Sequence, residues 1–153
     1  MENEFRIGFT LQSIKNEQFA LFNENYVYTD EGIFSVGVEV KISEDKRIGV
    51  FLQSQYLQGD RVVIKIVVSC HFIINDESWI SFLDIEESNI VIPQDVLAYL
   101  VLVTAGTTRG ILFAKTEGTV FSTVIFPAID GSELIKEDAK IPLKTKNGYS
   151  SNV

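Results

Sequence analysis

Hydrophobic and polar residues alternate along much of the first half of the chain. Every second residue from Phe34 to Ile42 is apolar, and the residues between them are polar or small. This period of two is typical of a strand with one buried face. Polar turns at 43–47 and 58–60 are too short for parallel crossovers, so they favour an antiparallel meander. The predicted strands cover residues 5–12, 34–43, 48–52, 61–74 and 78–85.

A different pattern begins at Pro93. From Val96 to Ala105 almost every residue is apolar, with no polar side. Proline suits the first turn of a helix, and Asp95 follows where the helix dipole favours a carboxylate. The fold class is therefore α+β, with a meander sheet of four to five strands followed by one long helix on one of its faces.

The all-round hydrophobicity of this helix has a second implication. A helix that is apolar on every side is buried on more than one side. The sheet covers one side, so we expect a second subunit to cover part of the other, giving a homo-oligomer. The residues assigned to this subunit interface are Leu97, Leu100, Val101, Thr104 and Thr108.

Length, charge and termini limit the classes of protein. The 153 residues suit one domain, assigned to 1–130, followed by a tail at 131–153 with a short helix around 132–139 and flexible residues beyond. The net charge of −8 disfavours nucleic acid as a partner. The apolar run is about half of the roughly 20 residues that a bilayer requires, so no membrane insertion is expected. An acidic N-terminus without an apolar region predicts a cytoplasmic protein.

The residues that could carry chemistry are few. Cys70 and His71 are neighbours in a predicted strand, so they point to opposite faces and cannot share a metal ion or form a nucleophilic pair. The small residues at 105–110 lie inside the helix pattern, where they favour close packing over phosphate binding. Arg109 is expected to pair with a carboxylate or bind carbonyl groups. We predict no catalytic residue, no cofactor and no metal, and hence no enzyme.

The segment from residue 90 to residue 130 carries a family resemblance. Its helix starts at Ile92-Pro93, continues through Thr108-Arg109-Gly110 and ends in a KTEGT sequence, and an extended piece with Phe126-Pro127 follows. In this order the residues resemble the SecB-like family of protein-export chaperones. The element order resembles that family over residues 5–130. The interval between the two prolines is longer than in the export chaperone itself, and the tail predicts at most a short helix around residues 132–139 where that protein has its second helix.

The resemblance implies a function and a set of binding residues. SecB-like proteins bind unfolded polypeptides without ATP, in apolar grooves between sheet and helix, as dimers or tetramers. Aromatic side chains suit such recognition because they give a large contact area at low entropic cost. Each of these side chains also has a plain interpretation as core or subunit interface. The residues assigned to polypeptide binding are Tyr26, Tyr28, Trp79, Phe82, Ile90, Phe113, Phe121 and Phe126.

Two other functions stay open at this point. The first is an oligomeric scaffold or a dedicated partner of one protein, such as a chaperone in a toxin–antitoxin system. The second is a thioesterase of the hot-dog fold, with Asp95 as its carboxylate. That fold places its main helix before most of the strands, whereas this helix follows them, so the thioesterase is less favoured.

Overall fold

Two antiparallel sheets and one long helix make up the part of the chain that the computed structural model describes, residues 7–143. The α+β class predicted from the sequence is confirmed. The large sheet contains β1 (Phe9–Leu21), β2 (Ile33–Ser43), β3 (Arg47–Gln58) and β4 (Arg61–Ile74). The small sheet contains β5 (Leu83–Asp84), β6 (Asn89–Ile92) and β7 (Ala139–Pro142). The helices are α1 (Asp76–Ser81), α2 (Gln94–Thr116) and α3 (Gly131–Leu134).

The large sheet has the order β1-β4-β3-β2, so only β2, β3 and β4 form a meander. The first strand pairs with β4 instead of β2, with Phe9 opposite Ile74 and Leu21 opposite Ile64. The connection after β1 crosses the end of the sheet, where the Phe22 amide donates to the Val63 carbonyl at 2.8 Å. This long connection lets the chain return to the far edge.

Bulges explain why β1 extends well beyond its predicted range. The register shifts between Leu11 and Ser13 and again between Asn16 and Gln18. Each bulge adds one residue and so moves the apolar positions by one. Period-two alternation is therefore lost after Leu11, although the strand continues. The predicted residues 5 and 6 lie outside the described part of the chain.

Alternation in the other strands does mark the buried face. Ile48, Val50 and Leu52 of β3 are fully buried, and β2 alternates between exposed and half-buried positions along its whole length. Helix α2 packs across β3 and β4 on this face. The core therefore lies between α2 and the two central strands.

The predicted strand at 78–85 is wrong in its first half, because residues 78–81 belong to α1, and only Leu83–Asp84 form a strand. The side chain of Asn75 accepts a hydrogen bond from the Ser78 amide at 2.8 Å, which caps the helix. Asp76 and Glu77 follow in its first turn, where the helix dipole favours them. Short apolar runs fit either period, and here the local cap selects the helix.

Helix α2 begins and ends where the sequence predicts. Pro93 is its N-cap, and the backbone leaves the helix at Glu117. Gly118 follows with a φ of 78°, in the left-handed region that glycine adopts without strain. The Thr108-Arg109-Gly110 sequence is thus a helical turn, and the KTEGT sequence ends the helix.

The tail differs from the expected short helix followed by flexible residues. Its helix, α3, ends at Leu134, and the chain then forms β7, in which Ile141 pairs with Ile90. Pro142 is tolerated because β7 lies at the edge of the small sheet within the described residues, where a missing amide disrupts little. Residues 144–153 of the predicted flexible tail lie outside the described part.

Candidate functional site

Helix α2 is apolar on two sides, and the sheet covers only one of them. On the other side, side chains spaced three or four residues apart form one row, which we call the outer stripe. Tyr99, Leu102 and Phe113 keep 54%, 45% and 61% of their surface exposed. Exposed large apolar side chains aligned on one helix face are a mark of an interaction site, so this row is the candidate site. The outer stripe consists of Tyr99, Leu102, Gly106, Gly110 and Phe113.

The residues assigned from the sequence to a subunit interface lie on the opposite side of α2. All five are buried within a single chain, so they leave no surface for another subunit, and that assignment is corrected. Thr104 and Thr108 face the core because their hydroxyls donate to the carbonyls four residues earlier, at 2.9 and 2.8 Å. The corrected residues are Leu97, Leu100, Val101, Thr104 and Thr108.

One end of the outer stripe borders a shallow depression of about 320 Å³, which we call the β1 groove. Phe9 of β1 and Tyr99 of α2 both line it and pack edge to face, with ring centroids 5.7 Å apart. Asp95 is the acidic residue at its rim, and the groove is otherwise lined by apolar side chains. The lining residues are Ile7, Phe9, Asp95, Val96 and Tyr99.

The apolar floor of the β1 groove continues along β1. Leu11 pairs with Phe72, and Ile14 pairs with Cys70. Residues directly opposite one another in a sheet point to the same face, so Leu11 and Ile14 face the helix side. They are nevertheless 36% and 49% exposed, because α2 packs mainly across β3 and β4 and leaves this part of β1 open.

The other end of the outer stripe borders a depression of about 400 Å³, the Arg109 groove. Arg109 Nε donates to the Phe126 carbonyl and its Nη2 to the Pro127 carbonyl, both at 2.9 Å. These bonds confirm the expectation that Arg109 binds carbonyl groups. They hold the segment after α2 against the helix as the second wall of the groove. The lining residues are Gly106, Arg109, Gly110, Phe113, Val124 and Ile125.

The aromatic residues assigned to polypeptide binding are mostly part of the core. Five of the eight assigned residues are less than 7% exposed and cannot contact another chain, and the sixth, Tyr26, packs on Phe121 with centroids 4.9 Å apart. Tyr28 and Phe113 are exposed, and Phe113 lines the Arg109 groove. The five buried residues are Trp79, Phe82, Ile90, Phe121 and Phe126.

The sequence reasoning missed Tyr99, Leu102 and Ile125. A signal for the first two was present in the spacing, because positions 99, 102, 106, 110 and 113 fall on one side of a helix. The two glycines in this row also set it apart from the leucines and threonines of the buried side. Ile125 carries no comparable signal, since it follows the helix in a segment without a regular period.

A polar cluster on the opposite face of the large sheet is the other arrangement of functional side chains. Ser69 is fully buried, and its Oγ donates to Glu17 Oε1 at 2.8 Å. A hydroxyl has one proton, so His71 Nε2–H donates to the same Oγ at 2.9 Å. With no exposed surface, Ser69 is not presented to a substrate. The cluster instead joins β1 to β4.

The electrostatics of this cluster disfavour a charged imidazole. Partial burial and the nearby Lys15 lower the pKa of His71 below its usual value, while Glu17 acts in the opposite direction. Cys70 is fully buried among the core residues, on the other face of the sheet from His71. Within residues 7–143, no three His, Cys, Asp or Glu side chains are grouped so that they could hold a metal ion.

Helix α2 is also long and apolar enough to cross a membrane, judged by length and composition alone. In this fold 39% of its most apolar 18 residues are buried inside the protein. No protein-family model matches the chain, and no curated protein is significantly similar to it. The resemblance to SecB-like proteins therefore stays a sequence-based prediction.

Proposed function

We propose that this protein binds apolar segments of non-native polypeptides along the outer stripe of α2, without using a nucleotide. The observation that carries the proposal is the exposure of Tyr99, Leu102 and Phe113 in one row between two apolar grooves. A bound segment would lie along α2 and place its side chains in the β1 groove and the Arg109 groove.

The composition of the surface supports recognition of varied sequences. Side chains such as Tyr99 and Phe113 offer a large contact area and few directional hydrogen bonds. Gly106 and Gly110 are exposed and carry no side chain, so a bound chain can approach the helix backbone between the flanking aromatic residues. Such a surface selects apolar character over a particular sequence.

Magnitudes favour weak and reversible binding. Burying one large apolar side chain contributes about 1.5–3 kcal/mol, and two or three fit along the row. Loss of translational and conformational freedom offsets much of this gain. The net charge of −8 also favours clients that combine apolar and basic residues, because their association is electrostatically steered.

A light-scattering assay tests the proposal. Chemically unfolded protein is diluted into buffer with the purified chain, and aggregation is followed with increasing excess of chain. We expect suppression by the natural sequence and a large loss of suppression in the double variant Tyr99→Ser, Phe113→Ser. Both side chains are largely exposed, so these changes are compatible with folding.

The matched control changes exposed apolar residues away from α2. Ile80 of α1 and Ile85 after β5 are 63% and 84% exposed. The variant Ile80→Ser, Ile85→Ser should keep full suppression if the outer stripe is the site. Equal suppression by both double variants, or aggregation that is unchanged by the natural sequence, contradicts the proposal.

A dedicated protein partner is the second candidate. It is favoured by Gly106 and Gly110, which lie about one turn apart on an exposed helix face and permit close packing of one regular helix. A panel of unrelated unfolded clients separates the two functions. A general binder suppresses the aggregation of several clients, whereas a dedicated binder suppresses none of them. In a dedicated binder, Gly106→Leu should abolish binding of the one protein partner.

A further inference from the structure

The buried core consists of two clusters, and helix α2 contributes to both. Leu97, Leu100 and Val101, in its N-terminal half, pack in a cluster that includes residues of the small sheet. Ala105 and Leu112, in its C-terminal half, pack in a second cluster with residues of the segment that follows α2. Within residues 7–143, no buried residue belongs to both clusters. The two halves of the helix therefore have different packing partners.

The boundary between these clusters falls on a stretch of α2 that is poorly suited to a helix. Glycine and threonine both lower helix stability relative to alanine or leucine. Residues 104–110 include two glycines and three threonines. All three threonine hydroxyls donate to the carbonyl four residues earlier, and such bonds weaken and often bend a helix. This stretch is therefore the least stable part of α2 away from its ends.

Each half of α2 is also held by a different later part of the chain. At the N-terminal end, the Gln94 side chain donates to the Ile135 carbonyl at 2.6 Å, and the Gln94 amide donates to Asp138 Oδ1 at 2.8 Å. Arg109 instead binds two carbonyls of the segment directly after the helix. The two halves are thus fixed to separate parts of the chain.

We propose that residues 104–110 form a hinge, the α2 hinge, at which the two halves of the helix move relative to each other. The Arg109 groove moves with the C-terminal half, because the two bonds of Arg109 join its walls. The β1 groove stays with the N-terminal half, which supplies Asp95, Val96 and Tyr99 to its lining. Bending at the α2 hinge therefore changes the distance between the two grooves while the walls of each stay together. A surface of this kind adapts to bound segments whose apolar residues are differently spaced.

Hydrogen exchange of the backbone amides, measured by NMR on the full chain, tests the α2 hinge. A helix without a hinge frays at its ends, so its central amides are the most protected. The hinge reverses this order. After correction for intrinsic rates, amides 107–110 should exchange about tenfold or more faster than amides 100–103 and 113–115.

A double variant shows whether the weak helix formers cause this exchange. Gly106 and Gly110 both have open space for a methyl group, so Gly106→Ala, Gly110→Ala is compatible with folding. It should slow exchange at amides 107–110 about tenfold or more and leave the flanking amides nearly unchanged. The control Ala114→Gly places a weak helix former outside the hinge and should not change exchange at 107–110.

A distance measurement distinguishes bending from local loss of hydrogen bonds. Spin labels are attached to Asp95→Cys and Ala114→Cys, both at exposed positions of α2, while the buried Cys70 is protected from labelling. Electron–electron double resonance should give a broad distance distribution that narrows in the double alanine variant. Neither measurement uses a client, so both are independent of the proposed polypeptide binding.

Three results would overturn the proposal. The first is maximal protection at amides 107–110. The second is a double alanine variant that slows exchange evenly along α2, since this assigns exchange to unfolding of the whole protein. The third is a distance distribution that the double variant leaves unchanged, because the two halves then do not move relative to each other.

Discussion

The two sides of helix α2 are similarly apolar, but one is buried against the sheet and the other is exposed to solvent. The side toward the sheet carries Leu100 and Leu112, both fully buried, together with threonines. The outer side carries Tyr99, Leu102 and Phe113, which remain about half-exposed. Hydrophobicity along a helix therefore locates its contact surfaces but does not show which of them are internal. The two sides differ in the size of their residues. The buried side consists of leucine, valine, alanine and threonine, whereas the outer side combines large side chains with glycine.

The buried threonines show how a polar residue can occupy the internal side. Thr116 is fully buried, and its hydroxyl donates to the Leu112 carbonyl at 2.8 Å. Thr108 and Thr104, about two and three turns earlier, donate in the same way to the carbonyls four residues before them. A hydroxyl bonded within its own helix avoids the cost of an unpaired buried group. The outer side keeps its larger aromatic surface in contact with solvent, and this exposure is what suits it to binding.

The largest expected difference between the two sides comes from one matched pair of leucines. Leu100→Ala should lower the free energy of unfolding by about 2–5 kcal/mol, since it leaves a cavity in the core. Leu102→Ala, two residues away, should cost less than about 1 kcal/mol and weaken client binding. Urea denaturation of both variants measures this. Similar losses for the two would mean that Leu102 is covered in the native protein.

Removing Arg109 should have the next largest effect. Arg109→Ala loses two charge-assisted hydrogen bonds to carbonyls and should lower the free energy of unfolding by about 1–3 kcal/mol. It also frees one wall of the Arg109 groove, so the apparent affinity for clients should fall. Arg109→Lys keeps the positive charge but cannot donate to both carbonyls with the geometry of a guanidinium. Its stability and its affinity for clients should therefore lie between those of the natural sequence and of Arg109→Ala. Full activity of Arg109→Ala would show that this wall does not contribute to binding.

Replacing Gly106 by alanine should raise the stability of the protein and lower its affinity for clients. A Cβ at this position meets only the flexible end of Arg109, 4.0 Å away, so Gly106→Ala should stabilise the helix by about 0.5–1 kcal/mol. The same methyl group occupies the outer stripe and should weaken client binding. The reverse change, Ala114→Gly on an exposed position outside the stripe, should destabilise by a similar amount without affecting binding. If Gly106→Ala were also neutral for binding, close approach to the helix backbone would not be needed.

The smallest expected effect is that of acidification, which should lower the free energy of unfolding through the polar cluster around His71 and not through the outer stripe. Because the pKa of His71 is lower in the folded protein, the unfolded chain binds more protons as the pH falls. The stability associated with neutral His71 is fully present above about pH 6.5 and is lost as the pH falls through the folded-state pKa. His71→Gln should flatten this dependence in thermal unfolding followed between pH 7.5 and 5. A dependence that persists in the variant would assign it to other groups.

Regular segments were predictable from the sequence, and nonlocal pairings were not. Strict alternation located β2, and apolar residues at every second position marked the buried row of β4, while Pro93 and Gly118 marked the ends of α2. The position of β1 beside β4 depends on hydrogen bonds made by its long connection, and bulges hid its length. Hydrophobicity alone did not reveal which side of α2 is internal, because both sides are apolar, and the two glycines of the outer row were the signal that set them apart.

The pairing of β7 with β6 has a consequence for the order in which the molecule is completed. β4 ends at Ile74, so every strand of the large sheet exists once the chain has been synthesised to that point. β6 (Asn89–Ile92) precedes α2, and its partner β7 (Ala139–Pro142) follows α2. The pairing of these two strands forms only after residues 139–142 have been synthesised. Closing so long a loop has an entropic cost that short hairpins avoid. A nascent chain halted after α2 therefore has a finished sheet and an apolar helix whose flanking segments are not yet joined, and such a chain exposes apolar surface that favours aggregation.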